Sequence, residues 1–490
     1  MDPARIPVIL AAGHSIEREE IVDAIELAAR ASHNALAVAS GLRDKIQRLS
    51  MVSVVFSPVS ANPATQLAER LGLTDVEREI TTPGGNLPQW LVTRAASQIA
   101  AGQLDVTLIA GAEATRSMRA ADPEAEIIRG SRTNGDGSDP DPVVGPSISG
   151  ILSEVEIAVR LFRPTEVYPL FESALAHAEG RSFAEQREFL GPLMSRFSHV
   201  AADHPYAWFG NAQTAQQISE VRPDNRLVAE PYPKRMNAFP TVDQGCAVVV
   251  ASLATARELG LEDCCVFVWS GANNTEPTPA TRPDLGDAPA MRVASAAALE
   301  AAGIVVDDLG LIDLYSCFPI AVEVAARGLG IELDDPRGLT LTGGLPFFGG
   351  PGNNYSMHAI ATLFERLPDC GGFGYIGANG GLLSKHSIGV YGAERPPGGF
   401  AQADTTRQQA EIDASAIAAV TDASGDATVV ASTVVYARDG TVGAVPVIAT
   451  LDDGRRVVAK ADPSTLAELP NTSLVGERIR VSGSPCSFQV

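Results

Sequence analysis

Gly343-Gly344-Leu345-Pro346-Phe347-Phe348-Gly349-Gly350-Pro351-Gly352 holds five glycines in ten residues and runs straight into a helix. Met357, Ile360, Leu363, Phe364 and Leu367 recur beyond it at helical spacing, and Asn353 and Asn354 are suited to cap that helix. Backbone so poor in Cβ atoms lets a ligand approach the main chain, with free N–H groups aimed at it from the helix N-terminus. For one such loop taken alone, a tight connection inside a large α/β domain is the better account. A second, Gly377-Ala378-Asn379-Gly380-Gly381, follows the apolar strand Phe373 to Ile376 and shifts the balance towards a site.

Working outward, strand candidates Ile6–Ala12, Met51–Phe56 and Val106–Ala110 alternate with helices Asp23–Ser32, Pro63–Leu71 and Leu87–Ala101. That alternation predicts an α/β domain. From about Thr115 to Arg226 the pattern breaks. Asn134 to Pro146, rich in Gly, Pro, Ser and Asp, reads as a surface loop, and Ser182-Phe183-Ala184-Glu185 as a capping box opening a helix towards Val200. Arg226 to Ala251 returns to the first unit, and Val266 to Tyr391 supplies a second. The two units do not repeat visibly in sequence. Beyond Phe400, the β-branched runs Ala427–Ala437, Thr441–Leu451, Arg455–Ala461 and Val475–Ser482, with Asp453-Gly454 as a hairpin signal, predict a small β-barrel of the oligonucleotide-binding (OB) shape.

Composition bounds the function. At 490 residues the chain is too long for one compact core, and its 45% hydrophobic and 20% charged residues are ordinary for a globular protein. A net charge of −22 argues against general nucleic-acid binding, though not against an anionic cofactor in a local basic pocket. The barrel region itself carries 7 Lys plus Arg against 11 Asp plus Glu from Phe400 onward and few aromatics, so no nucleic-acid partner is expected there. The six cysteines (246, 264, 265, 317, 370, 486) lack Cys-x-x-Cys spacing and have no histidine close in sequence, so no metal site is expected. Without a cleavage signal or a membrane-length apolar run, a cytoplasmic protein with reduced thiols and no membrane span is expected.

At its glycine loops the chain resembles the thiolase superfamily. Members carry an Asn-Gly-Gly…Gly-His-Pro loop before a helix, matched by Thr342-Gly343-Gly344…Gly349-Gly350-Pro351, and a later Cys-x-Gly-Gly-Gly loop, matched by Gly377 to Gly381. Asp313-Leu314-Tyr315-Ser316-Cys317-Phe318 sits where thiolases have Asn-Glu-Ala-Phe, or His-Asp-Cys-Phe in the sterol-carrier branch. Ile99 to Glu113 resembles the helix end, strand and Gly-x-Glu turn that follow the nucleophile, and Asp243-Gln244-Gly245 the Asp-Gly-Ala segment. The resemblance implies an α/β thiolase fold: two βαβαβαββ halves in five αβαβα layers. It assigns residues 1–114 and 226–255 to the first half, 115–225 to a helical loop domain and 256–395 to the second half. Residues 400–490 are left as the OB-like β domain. Acyltransferase activity of the acetyl-CoA acetyltransferase kind, a place in lipid metabolism and coenzyme A thioesters as substrate or ligand are implied by the same resemblance, with no covalently bound cofactor. A monomer or homodimer is expected, and some relatives use a separate barrel-bearing partner protein.

The same spacing puts the thiolase nucleophile at Gly85, within Pro83-Gly84-Gly85-Asn86-Leu87-Pro88-Gln89, the general-base histidine at Gly350 and the second cysteine at or near Gly377. Glycine offers none of the thiolate chemistry that a cysteine at a helix N-terminus supplies. By this resemblance a two-cysteine mechanism is closed to the chain.

Several side chains remain as candidates. Tyr315 replaces the Asn or His of the thiolase oxyanion site and can donate to a thioester or enolate oxygen; a buried, hydrogen-bonded tyrosine is the alternative. Cys317 is a substitute nucleophile or a small buried residue. His386, entering the strand Ser387–Tyr391, and His358, in the opening turns of the helix, face either the pocket or the core. Asn86 and Asn379 are candidate hydrogen-bond donors. Gly349, Gly350, Asn379 and Gly380 are the candidate cofactor-binding backbone, and Lys234, beside Arg235, is placed to meet coenzyme A phosphates or simply solvent. Three functions stay open: a thioester enzyme of thiolase type with altered machinery, a retro-aldol carbon–carbon lyase, and a non-catalytic acyl- or coenzyme A-binding protein. The lyase follows from thiolase-fold retro-aldolases whose Tyr-Asp-Cys-Phe motif is close to Tyr315-Ser316-Cys317-Phe318, with Ser316 in place of the acid.

Overall fold

The computed structural model describes residues 2–124, 139–466, 469 and 472–490. The first unit runs β1 (Pro7–Ile16), α1 (Ala24–Leu36), β2 (Arg48–Met51), α2 (Pro63–Leu71), β3 (Glu77–Thr81), α3 (Leu87–Ala100) and β4 (Val106–Ala114). There follow α4 (Thr115–Ala121), β5 (Val143–Val144), α5 (Glu154–Ala158), α6 (Pro164–Ala178), α7 (Phe183–Asp203), α8 (Ala215–Ser219), β6 (Leu227–Ala229) and β7 (Tyr232–Pro233), the helical insertion. Of the loop expected at 134–146, residues 134–138 lie outside the described residues. β8 (Asp243–Ser252) completes the first unit. The second comprises α9 (Leu253–Glu258), β9 (Val266–Thr275), α10 (Pro289–Ala302), β10 (Leu309–Leu314), α11 (Pro319–Leu329), α12 (Tyr355–Cys370), β11 (Phe373–Gly380) and β12 (Lys385–Gly392).

All these strands but β6 and β7 join one sheet, ordered β10-β11-β12-β9-β1-β8-β4-β2-β3-β5. Its centre is the antiparallel β1–β9 pair. Read outward from that pair, one arm is β1-β8-β4-β2 and the other β9-β12-β11-β10. In each arm the second strand is antiparallel to both its neighbours and the last two are parallel. The duplication that is invisible in sequence periodicity is thus plain in topology. α3 and α12 pack against each other and against strands of both arms. Every residue of α12 from Tyr355 to Leu363 is buried, Ser356, His358 and Thr362 among them, because this stretch is packed on all sides in a central layer.

Two local expectations are corrected. β2 stops at Met51 instead of reaching Phe56 because the following backbone turns to wrap a carboxylate. Val55, Phe56 and Ser57 N–H and the Ser57 hydroxyl donate to Glu113 at 2.7 to 3.1 Å. Gly377 to Gly380 are strand, not loop: they pair with Ile388 to Lys385 and finish β11.

Beyond the second unit, β13 (Ala401–Gln402) adds beside β9, and α13 (Thr406–Ala414) packs on α10. The remaining strands are β14 (Gly425–Ser432), β15 (Val435–Tyr436), β16 (Val442–Ala444), β17 (Pro446–Leu451), β18 (Arg456–Ala461), β19 (Arg478–Ser482) and β20 (Ser487–Gln489). Five of them close a barrel, β14-β17-β18-β20-β19, which is the first-second-third-fifth-fourth order of an OB fold. Ala431, Ile448 and Val458 of this barrel join the same apolar cluster as Leu170 and Phe171 of α6. Part of the second- and third-strand face, which OB folds use for oligonucleotides, is therefore covered by the helical insertion. β15 and β16 extend a small sheet with β6 and β7. Among the described residues no helix is long and apolar enough to cross a membrane.

Candidate functional site

Tyr315 follows directly on β10, and its N–H donates to Gly377 O at 3.0 Å, continuing the β10–β11 pairing. Its ring stands edge-on to Tyr355, with centroids 5.3 Å apart. The hydroxyl reaches the start of α3: a Cβ built on Gly85 would lie 2.2 Å from Tyr315 Oη and 2.6 Å from Asn379 O. Gly85 does not have the positive φ that favours glycine, so what the position demands is space. The tyrosine hydroxyl fills the volume that a side chain at 85 would need. Gly380 is equally tight, its virtual Cβ 2.3 Å from Asn86 Oδ1. The ends of β10 and β11 thus meet the N-terminus of a 14-residue helix. The beginning of α12 clamps the same point, with Ser356 Oγ donating to Gly85 O at 2.6 Å and Gly84 N–H to Asn353 Oδ1 at 3.0 Å.

Around this junction the structure gathers Tyr315, Cys317, Asn86, Asn379 and Gly380. Asn379 Nδ2 donates to Tyr168 Oη at 3.0 Å and lies 3.8 Å from Cys317 Sγ. Burial pushes the Cys317 thiol up to about 12, which leaves it protonated and weakly nucleophilic. Asn86 Nδ2 donates to Ser387 Oγ at 3.0 Å, while its buried Oδ1 has no hydrogen-bond partner. Two residues not among the sequence candidates belong here. Tyr168 comes from the helical insertion. Lys385, 3% exposed, donates from Nζ to Pro83 O at 2.8 Å, and burial lowers its pKa to about 8. A lysine inside an apolar strand in a chain with four lysines was the available signal for the second; nothing local marks Tyr168.

The other candidates lie elsewhere. His386 pairs across the sheet with Asn379, but its ring faces Glu276, 3.8 Å from Oε1. Burial, then Arg282, lowers its pKa to about 3, and burial raises Glu276 to about 7. His358 faces His14, Nδ1 to Nδ1 2.9 Å, and Phe348 packs against both His358 and Tyr355. Gly349 and Gly350 lie against residues 238–244, with Gly350 N–H donating to Phe239 O at 2.9 Å. The N–H groups of residues 343, 344, 347, 348, 350 and 352 are all bonded within the protein, so they are not the free donors that glycine density suggests. Asn353 and Asn354 make no cap bond to α12; their amides donate to Ser53 O and Gly111 O, tying the helix start to the first unit. Lys234 is exposed, and Arg235 pairs with Asp224 at 2.8 Å.

Over 99% of this chain and 99% of the other, the fold superposes with a TM-score of 0.85 and 33% identity on a monomeric SCP2-thiolase-like protein type 1 from Mycobacterium smegmatis. The chain belongs to this SCP2-thiolase-like branch of the thiolase superfamily. Two more distant structures share the superfamily fold. The Ltp2-ChsH2(DUF35) aldolase matches with a TM-score of 0.62 and 18% identity over 80% of this chain and 98% of that one. The dimeric peroxisomal thiolase of Saccharomyces cerevisiae gives 0.58 and 16% over the same shares. No protein-family profile and no curated protein sequence matches the chain. Within this superfamily fold, the junction of Tyr315 with Gly85 offers a hydroxyl at a helix N-terminus, flanked by amides and a lysine that can exchange a proton near neutral pH.

Proposed function

We propose that this thiolase-like protein binds acyl-coenzyme A thioesters and acts on them without an acyl-cysteine, Tyr315 standing where thiolases place their nucleophile. The observation that carries this reading is the Tyr315 hydroxyl occupying the side-chain volume of Gly85. A phenol at that point suits hydrogen bonding to a thioester carbonyl, whose oxygen gains charge as an enolate forms. It supports non-covalent chemistry beside the thioester, of which retro-aldol carbon–carbon cleavage is the reaction class closest to the motif around Tyr315. Lys385, with its lowered pKa, is suited to take or return the proton. A second reading, an acyl- or coenzyme A-binding protein without turnover, is favoured by the burial of Tyr315 at 7% exposure and of Phe347 and Phe348 at 2% and 0%.

Tyr315→Phe separates the two. Under the catalytic reading it keeps the fold and the calorimetric affinity for a coenzyme A thioester, and lowers turnover of a β-hydroxyacyl thioester by roughly a hundredfold or more. Under the binding reading the wild type has no turnover to lose, and the substitution costs about 1 to 3 kcal/mol of stability. Incubation with acetyl-CoA followed by intact-mass measurement is expected to show no adduct. An acetyl group on Cys317 would overturn both.

A further inference from the structure

Beneath α12 lies a cluster that the Tyr315 junction does not use. His14 of β1 and Cys246 of β8 are register partners across the sheet, and His358 and Glu365 of α12 face them from above, two helical turns apart. One donor atom each from His14, Cys246 and His358 lies within 4.8 Å of the other two. The three residues are 1%, 0% and 0% exposed. Glu365 Oε1 lies 3.6 Å from His14 Nε2. Tyr206 stacks on the His14 ring, with centroids 4.6 Å apart, and His204 and Phe348 close the sides.

Such a group is costly in an apolar core unless something satisfies it. His14 Nε2 and His358 Nε2 are buried without a hydrogen-bond partner, and orphaned polar atoms at this depth call for a reason. The two Nδ1 atoms lie 2.9 Å apart, a contact in which one neutral imidazole donates and the other accepts, and an ion held by both rings would take its place.

We propose that His14, Cys246 and His358 hold one divalent transition-metal ion of the zinc class, with the Glu365 carboxylate as fourth ligand. Two imidazoles and a thiolate select zinc-like ions over magnesium or calcium, which prefer all-oxygen shells. The geometry fits after modest closure. Three atoms at most 4.8 Å apart surround a centre at most about 2.8 Å from each, against about 2.0 to 2.3 Å for zinc–nitrogen and zinc–sulfur bonds, so no donor has to move in by more than about 0.8 Å. Glu365 lies outside the 4.8 Å group and, half exposed, would turn inward to complete the shell. Binding exchanges one proton for the ion: the Cys246 S–H bond breaks, its electron pair forms the sulfur–metal bond and the proton leaves to solvent. Thiolate and carboxylate together then balance the two positive charges. A cleft of about 400 Å³ lined by His14, Asn34 and Tyr206 adjoins the cluster on the His14 side. No local spacing announces the site, because His14 and His358 are 344 positions apart.

The test uses the full-length protein in a Cys264→Ser/Cys370→Ser background, which removes the exposed thiols, stripped with chelator and titrated with cobalt(II). One equivalent is expected to bind, with a thiolate-to-cobalt band in the near ultraviolet and tetrahedral visible bands. Zinc should displace cobalt and raise the melting temperature. Cys246→Ser should abolish the near-ultraviolet band and weaken binding at least a hundredfold, and Glu365→Gln should keep the band with weaker binding. If Cys246→Ser fails to fold, His14→Gln decides by the same loss of affinity. Absence of the thiolate band in the unsubstituted site, or unchanged affinity in His14→Gln, would overturn the assignment.

Discussion

Gly85→Ala is the most informative single substitution in this molecule, because it asks only for space. The added methyl would meet Tyr315 Oη at 2.2 Å, Tyr315 Cζ at 2.8 Å and Asn379 O at 2.6 Å. Carbon and oxygen rest about 3.5 Å apart, so neighbours on two elements must retreat by about 1 Å. The tyrosine ring is braced edge-on by Tyr355, and Asn379 O belongs to the backbone of β11, so neither yields cheaply. Overpacking of this kind costs about 1 to 3 kcal/mol, and the backbone contact argues for the upper part of that range. At about 2 to 4 °C per kcal/mol for a cooperative unit of this size, the melting temperature should fall by about 5 to 10 °C. In a Tyr315→Ala background Asn379 O is the one of the three nearest contacts that remains, so about half the cost of Gly85→Ala should disappear; the coupling in this double-mutant cycle measures the tyrosine contact directly. Differential scanning fluorimetry of the four proteins is sufficient. Equal melting of Gly85→Ala and wild type would refute the packing argument, and with it the main support for Tyr315 standing at the nucleophile position. Gly85→Cys should destabilise for the same reason, its Cβ meeting the same atoms.

Other outcomes follow from the remaining buried groups. Glu172 and Glu323 share the core between α6 and α11, where Gln186 and the Tyr232 hydroxyl bond to Glu172 and Gln186 reaches Glu323 at 3.3 Å. Burial raises both carboxyls, and the neighbouring Glu172 raises Glu323 further. An acid whose folded pKa is raised stabilises fully below its unfolded value of 4.5 and loses that contribution as pH climbs towards the folded value, by up to about 1.4 kcal/mol per pH unit. Glu323→Gln should therefore lose less stability than wild type between pH 6 and 9; parallel curves from chemical denaturation would count against the raised pKa. Cleavage at Pro396-Pro397-Gly398-Gly399, which connects β12 to β13, should leave the barrel attached on size exclusion, because Ala431, Ile448 and Val458 are buried with Phe171 and Glu230 N–H donates to Val434 O at 3.0 Å. Truncation after Gly399 should instead expose that face and lower the solubility of the remainder, whereas a stable, monodisperse fragment would show the interface to be dispensable.

Much of the architecture is legible from local pattern alone. The alternation of short apolar runs with capped amphipathic helices announces the α/β units, Pro63–Leu71 is bounded as read, and the capping box at Ser182 opens α7. The β-branched runs after Phe400 announce the barrel, and the ordered glycine and Tyr-Ser-Cys-Phe motifs point to the superfamily. These signals survive because helix periodicity, caps and strand alternation are written within a few residues of one another. The misreadings have one cause. Met51–Phe56 looks like strand until Glu113, far away in sequence, claims its N–H groups; Asn353 and Asn354 look like caps until Ser53 and Gly111 offer carbonyls.

The chain by itself determines that α/β units precede a β-rich C-terminal region, that its glycine-rich motifs resemble those of the thiolase superfamily, and that the molecule is acidic. Those properties depend on composition and on neighbours within a turn or a strand. Tertiary structure alone decides that the Tyr315 hydroxyl fills the volume at Gly85, that Lys385 and Tyr168 join it, and that His386 turns towards Glu276. It alone brings His14, Cys246 and His358 within reach of one ion. Each of these depends on strand register and on two central helices packed between the arms of the sheet, where a shift of one residue would send every side chain to the opposite face.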